Sequence, residues 1–253
     1  MAALSSPRLI QAGGTTEEEW QHWLSGCRRA TLSGASWLLD APRLVVVAPH
    51  PDDEVLACGG LLAMRAAHAV EVLIVAVTDG EASHGPGSGP VADALAAQRR
   101  AERSTGLHRL GLHDAPLVSC GIPDGRVDRH EPALTARLAG LLRGNDVVIS
   151  SWRLDGHPDH DATGRSAASA CEVVGCRLVE APIWMWHWAS PDDARVPWQR
   201  LAALPTPPRF WLRKQAALAA HESQLAARSV AVGPVLDAAI CSRARRDCEY
   251  LFV

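Results

Sequence analysis

The chain has 253 residues, 47% of them hydrophobic and 21% charged, with a formal net charge of −3. Such a chain can bury a large core without covalent staples, and its near-neutral balance excludes the basic surface of a nucleic-acid binder. No run approaches the ~18–20 uninterrupted apolar residues of a membrane span, and residues 1–14 lack the apolar segment of a secretory signal. Seven cysteines, an odd number without a C-x-x-C pair, read as the reduced thiols of a cytoplasmic protein.

Thr15-Thr16 before Glu17-Glu18-Glu19 starts a helix, with a hydroxyl cap and an acidic first turn. Trp20, Trp23 and Leu24 fall at helical spacing and cover core. Residues 1–40 are expected to be a peripheral helical extension of one domain spanning 1–253. Leu44-Val45-Val46-Val47-Ala48 is a short β-branched run of the kind buried on both sheet faces. A loop over 49–54 precedes a helix over 55–68. Residues 72–77 form a second buried strand ending in Thr78-Asp79-Gly80, and 84–90 form a loop rich in Gly and Pro. A helix over 91–107 follows, then a weak strand at 117–120 and a helix over 131–143. The remaining elements are a strand at 146–151, a helix at 161–174, a long strand at 177–188, an amphipathic helix at 209–227 and a terminal strand at 250–253. Strands alternating with helices imply an α/β fold, a mostly parallel sheet with helices on both faces.

Open parallel sheets bind ligands beyond the carboxyl ends of their strands. Two motifs lie there: His50-Pro51-Asp52-Asp53-Glu54 after strand 44–48, and His157-Pro158-Asp159-His160 after strand 146–151. A lone His-Pro-Asp is ordinarily a turn. Two of them, each following a buried strand, suit a catalytic zinc site. Zinc takes three protein ligands and leaves a position open for water. His50, Asp53 and His160 supply two imidazoles and a carboxylate. Asp52 is placed to take a proton from water. His157 is placed to stabilise the oxyanion and protonate the leaving amine. Asp159 suits hydrogen bonding to a histidine, fixing its tautomer.

The segment 47–54 resembles the AHPDDE motif of the LmbE-like (PIG-L) N-deacetylases, and 157–160 resembles their HPDH motif. Thr78-Asp79-Gly80-Glu81-Ala82, Arg99 to Glu102, Leu110-Gly111-Leu112, Ile122-Pro123-Asp124-Gly125 and His221-Glu222-Ser223-Gln224 are also similar to family segments. The likeness covers roughly residues 43–225. It implies a Rossmann-like fold and zinc-dependent removal of an N-acetyl group. Its substrates would be amino sugars such as N-acetylglucosamine conjugates or related small molecules. By motif, the resemblance assigns His50, Asp53 and His160 to the metal, Asp52 to the general base, and His157 with Asp159 to the intermediate. Asp155 stands where mycothiol-pathway members carry a tyrosine, which argues against a thiol precursor.

Further expectations are attached to single residues. Glu54 orients a ligand or caps the following helix. Asp79, Arg153 and His84 contact substrate. Trp184, Trp186 and Trp188 alternate along one sheet face, where they pack in the core or at a homo-oligomer interface in preference to forming a sugar-stacking platform. The loops 81–90 and 189–208 set specificity. Competing readings are a metal-dependent phosphohydrolase, which needs more bridging carboxylates than two short motifs hold, and a metal-binding protein of this fold without activity.

Overall fold

The computed structural model describes residues 10, 14–26, 36–68 and 70–253. The strands are β1 (Arg43–Ala48), β2 (Glu71–Ala76), β3 (Leu117–Ser119), β4 (Asp146–Ser151), β5 (Arg177–Ala181), β6 (Leu201–Pro205) and β7 (Cys248–Phe252). The helices are α1 (Glu17–Gly26), α2 (Ser36–Asp40), α3 (Asp53–Ala67), α4 (Pro90–Leu110), α5 (Glu131–Leu141), α6 (Pro158–Val174), α7 (Met185–Trp188), α8 (Pro208–Leu218), α9 (Glu222–Leu225) and α10 (Ala238–Ala244). The sheet runs β3-β2-β1-β4-β5-β7-β6. The first five strands pair in parallel, and β7 pairs antiparallel with both β5 and β6. The mostly parallel α/β sheet expected from the sequence is therefore present.

Period-two alternation divides the core. Leu44 and Val46 join one buried cluster with side chains of α3, α4, α8 and α10. Val45 and Val47 point the other way, into a cluster with α5 and α6. Both faces of β1 are thus covered, which is why its sequence is continuously apolar rather than alternating. The helix after β1 lies on one face and the helix after β4 on the other. The two strands are neighbours, so a crevice opens between their carboxyl ends.

A third cluster brings α1 against α7, β6 and β7, with Trp20 fully buried beside Trp186. Thr16 Oγ1 accepts from Glu19 N at 3.2 Å, and the Glu19 carboxylate accepts from Thr16 N at 2.8 Å, a reciprocal cap on α1. The rest of the expected extension, residues 1–9, 11–13 and 27–35, lies outside the described residues.

Three expectations need correction. The strand 177–188 stops at Ala181. Beyond Pro182, the Asp155 carboxylate accepts from the amides of Ile183, Trp184 and Met185 at 2.9, 3.0 and 2.9 Å and turns the chain into α7. Trp184, Trp186 and Trp188 therefore do not share a sheet face. The helix 209–227 is two pieces, α8 and α9, separated by Ala219–His221. The loop expected over 189–208 contains strand β6, whose Leu201-Ala-Ala-Leu lacks the β-branching that marks a strand in sequence.

Candidate active site

Four loops converge at the crevice: 49–52 after β1, 77–89 after β2, 120–126 after β3 and 152–157 after β4. Together they line one side of a cleft of about 640 Å³ that contains His50, Asp52, Asp53, Arg99, Asp124 and His157. Both histidine motifs are thus brought to one place.

His160 is fully buried. Its Nδ1 sits 2.8 Å from Asp155 Oδ2, which places a proton on Nδ1 and turns Nε2 towards Asp53. That Nε2 is buried without a hydrogen bond and lies 3.2 Å from Asp53 Oδ2. Asp53 Oδ2 is also 3.1 Å from His50 Nδ1. Donor atoms around a tetrahedral zinc at 2.0–2.2 Å stand about 3.4 Å apart, so this spacing fits one ion. The opposite nitrogen of His50, Nε2, lies 3.2 Å from both Asp124 Oδ1 and Asp159 Oδ2. Donor atoms of His50, His157 and His160 lie within 4.8 Å of one another, and so do those of His50, Asp124 and Asp159. His50 belongs to both groups, and neither contains Asp53, which meets His50 through Nδ1.

The electrostatics fit a cation. Burial works against a charged His50, yet Asp124, Asp159 and Asp53 hold its pKa well above the imidazole value. Burial likewise opposes His160, whose pKa Asp53 and Asp155 raise to about 9. Asp53 is held well below the carboxylate range by His160 and His50 despite its burial. His157 goes the other way, lowered to about 3 by burial and by His50 and His160. Its Nδ1 accepts from Asp159 N at 3.3 Å, leaving the proton on Nε2.

Asp52 is 4% exposed and lines the cleft. Burial raises its pKa to about 7, against the pull of Arg99. Its backbone has φ 146°, a region that side chains avoid. Arg99, reaching from α4, holds it there. Its Nη2 donates to Pro51 O and Asp52 Oδ2, both at 3.1 Å, and its Nη1 donates to Gly80 O at 2.9 Å. Gly80 has φ 69°, and a Cβ there would meet the guanidinium at 2.0 Å, so the Thr-Asp-Gly turn requires glycine.

The profile of the family described as "GlcNAc-PI de-N-acetylase" (PIG-L) matches residues 45–171. The chain is 30% identical to a 1D-myo-inositol 2-acetamido-2-deoxy-alpha-D-glucopyranoside deacetylase of Mycolicibacterium smegmatis, over 70% of this chain and 69% of that one. The chain belongs to the PIG-L family. It is a deacetylase, a hydrolase of N-acetyl amide bonds. A relative of the same description from Mycobacterium sp. (strain KMS) is 34% identical, over 52% of this chain and 50% of that one. This chain therefore spans only about half of that relative's length. Among solved structures, the conserved protein TT1542 of Thermus thermophilus matches at 29% identity and TM-score 0.54, over 72% of this chain and 79% of that one.

Of the other expected site residues of this PIG-L chain, Asp159 faces a histidine as expected, whereas those expected to contact substrate lie elsewhere. Asp159 does not line the cleft. Its carboxylate accepts from Gly125 N at 2.7 Å and Val127 N at 3.1 Å and faces His50, so it positions that ring. Glu54 does not touch a candidate ligand ring. Its Oε2 accepts from Asp52 N at 3.4 Å, and its Oε1 faces Arg103 Nε at 3.6 Å. None of the three residues expected to contact substrate lines the cleft. Asp79 pairs with Arg100 at 2.5 Å, Arg153 Nε donates to Glu180 at 2.7 Å, and His84 lies between Ser83 Oγ and Ser223 O. Each is drawn off by a nearer partner. Of the loops expected to set specificity, 81–90 contributes Ala82 and Ser83, whereas no residue of 189–208 reaches the cleft among the described residues.

Sequence reasoning missed Asp124, Asp155 and Arg99 as site residues. Asp124 follows the short, half-exposed β3, so the pattern of a buried strand end is faint there. Asp155 stands out in sequence only as a departure at its position. Arg99 falls on what reads as a polar helix face, although it is 3% exposed. Among the described residues, no helix is long and apolar enough to cross a membrane.

Proposed function

We propose that this PIG-L chain removes the N-acetyl group of an amino sugar, using one zinc ion held by His50 Nδ1, Asp53 and His160 Nε2. The observation that carries the reading is His160. A buried, unpartnered imidazole nitrogen beside a carboxylate oxygen, with its opposite nitrogen fixed by Asp155, is a ligand prepared for a cation. The two-imidazole, one-carboxylate donor set suits zinc, although iron(II) and cobalt accept the same donors. When bound, the ion acts as a Lewis acid towards the amide carbonyl and makes water acidic near neutrality.

The chain's own groups supply the rest. Asp52 takes the proton of the attacking water and, once protonated, gives it to the departing amine, in place of His157, to which the sequence assigned that step. Arg99 holds the Asp52 carboxylate towards the cleft. His157 donates Nε2–H to the developing oxyanion, since its Nδ1 is occupied by Asp159 N. The products are acetate and a free amino sugar. Reduced, unpaired cysteines among the described residues support a cytoplasmic setting.

The test is metal content together with amine release from N-acetylglucosamine glycosides, for wild type and Asp52→Ala. One zinc per chain in both, with release falling about 10²–10⁴-fold in the variant, is the expected result. No bound metal, or release indifferent to Asp52→Ala, would overturn the assignment.

A further inference from the structure

One side of the cleft takes no part in this chemistry. Leu56, Trp184, Val235 and Leu236 line it, joined by Ile10. The Trp184 ring stacks on His157 with centroids 6.2 Å apart, so the apolar wall begins at the reacting groups. Leu236 is 3% exposed and belongs to the core cluster, so the wall is preformed. The loop between α9 and α10 that carries Val235 and Leu236 also forms a tight hairpin. Ser229 N donates to Val232 O at 3.1 Å, and Val232 N donates to Ser229 O at 3.3 Å. The hairpin leaves Val230 and Val232 exposed. Arg228 is the cation on this side, but its Nε donates to Gly233 O at 2.9 Å and its Nη1 to Ser83 O at 3.4 Å.

Ser83, Gln224 and Arg228 also line the cleft, while Leu56, Trp184, Val235 and Leu236 give it an apolar stretch. A hydrocarbon group would displace water from that stretch. The acetyl methyl needs only one such contact, whereas this wall has four large side chains besides Ile10.

We propose that the acetamido sugar taken by this enzyme carries an apolar aglycone, seated on Leu56, Trp184, Val235 and Leu236. The proposal rests on the deacetylase reading for its orientation, with the acetamide at the histidines. The experiment compares octyl and methyl glycosides of N-acetylglucosamine, and the methyl glycoside bearing N-octanoyl in place of N-acetyl. All are used below their micelle concentrations with zinc-loaded enzyme. Turnover is followed by amine release and binding by calorimetry. A KM and Kd about tenfold lower for the octyl than for the methyl glycoside are expected. That ratio should shrink towards one in Trp184→Ala and in Val235→Asp, with folding checked by circular dichroism. Val235 lies on a loop and is half-buried, so its variant serves if Trp184→Ala misfolds. Equal KM and Kd for both glycosides would overturn the aglycone proposal while leaving the deacetylase reading intact. A gain confined to the N-octanoyl compound would also overturn it, because the wall would then hold the acyl chain. Tighter octyl binding without turnover of any substrate would support the wall and sink the deacetylase reading.

Discussion

Asp155 concentrates more hydrogen bonding than any other side chain around the cleft. Its two oxygens face His160 Nδ1 and three consecutive backbone amides. One carboxylate thereby fixes the tautomer of a candidate ligand and the position of Trp184 in the cleft wall. Asn in its place keeps the size but turns an NH₂ towards one set of donors. Partners of ligating histidines are worth about 10–100-fold in metal affinity. Asp155→Asn should therefore weaken zinc binding by that order, read by competition against a chelator. Unchanged affinity would mean that His160 needs no such partner. At this scale the sequence is legible where chemistry is local. His50, Asp52, Asp53, His157 and His160 sit in short motifs, and the structure brings all five together. Arg99 and Asp124 are not legible as site residues, because their roles depend on side chains 47 and more residues away in sequence.

Helix α6 carries His160 and is capped by His157, and its seat on β4 depends on one glycine. A Cβ on Gly164 would meet Ser151 O and Arg153 N, both at 2.6 Å. These are backbone atoms at the end of β4, so neither can swing aside. Gly164→Ala must push α6 off the strand, and His160 moves with it. Overpacking of this kind costs about 1–3 kcal/mol. The larger effect should be on the site, because a displacement of about 1 Å costs of order 10²-fold in rate. Deacetylation falling much further than the melting temperature would fit; an unimpaired variant would show that the helix has slack. Elements with clear signals are legible in the sequence. Strand β4 has its expected limits, and α4 and α6 begin at a proline and end at a left-handed glycine. The strand drawn through 177–188 fails because its apolar alternation is local, while the carboxylate that ends it comes from residue 155. The loop drawn through β6 fails for a related reason, since pairing with β7 outweighs the strand's weak propensity.

The parts of the molecule are tied together through its C-terminal strand. Glu249 on β7 accepts from Gly60 N of α3 at 2.6 Å and pairs with Lys214 of α8 at 2.8 Å, both side chains being at most 4% exposed. Arg246 pairs with Glu17 of α1 and lies 4.2 Å over the Trp186 ring. The helix that begins at Asp53 is thus anchored from the antiparallel end of the sheet. The proposed metal centre adds a second tie. His50 and Asp159 are 109 residues apart in sequence yet 3.2 Å apart in space, and the proposed ligands come from the loop after β1 and the first turns of α3 and α6. An unfolded chain does not hold these donors together, so zinc at the proposed site would bind the folded state and stabilise it by linkage. At zinc about a thousandfold above its dissociation constant the gain is about 4 kcal/mol. In a protein of this size that raises the melting temperature by about 10 °C. Removing the ion with a chelator should lower the transition by that amount, and zinc should restore it. His160→Ala, which deletes one ligand from the α6 side, should melt at the same temperature with and without zinc. A variant that kept the full zinc-dependent rise would place the stabilising ion elsewhere in the chain and separate it from the two histidine motifs.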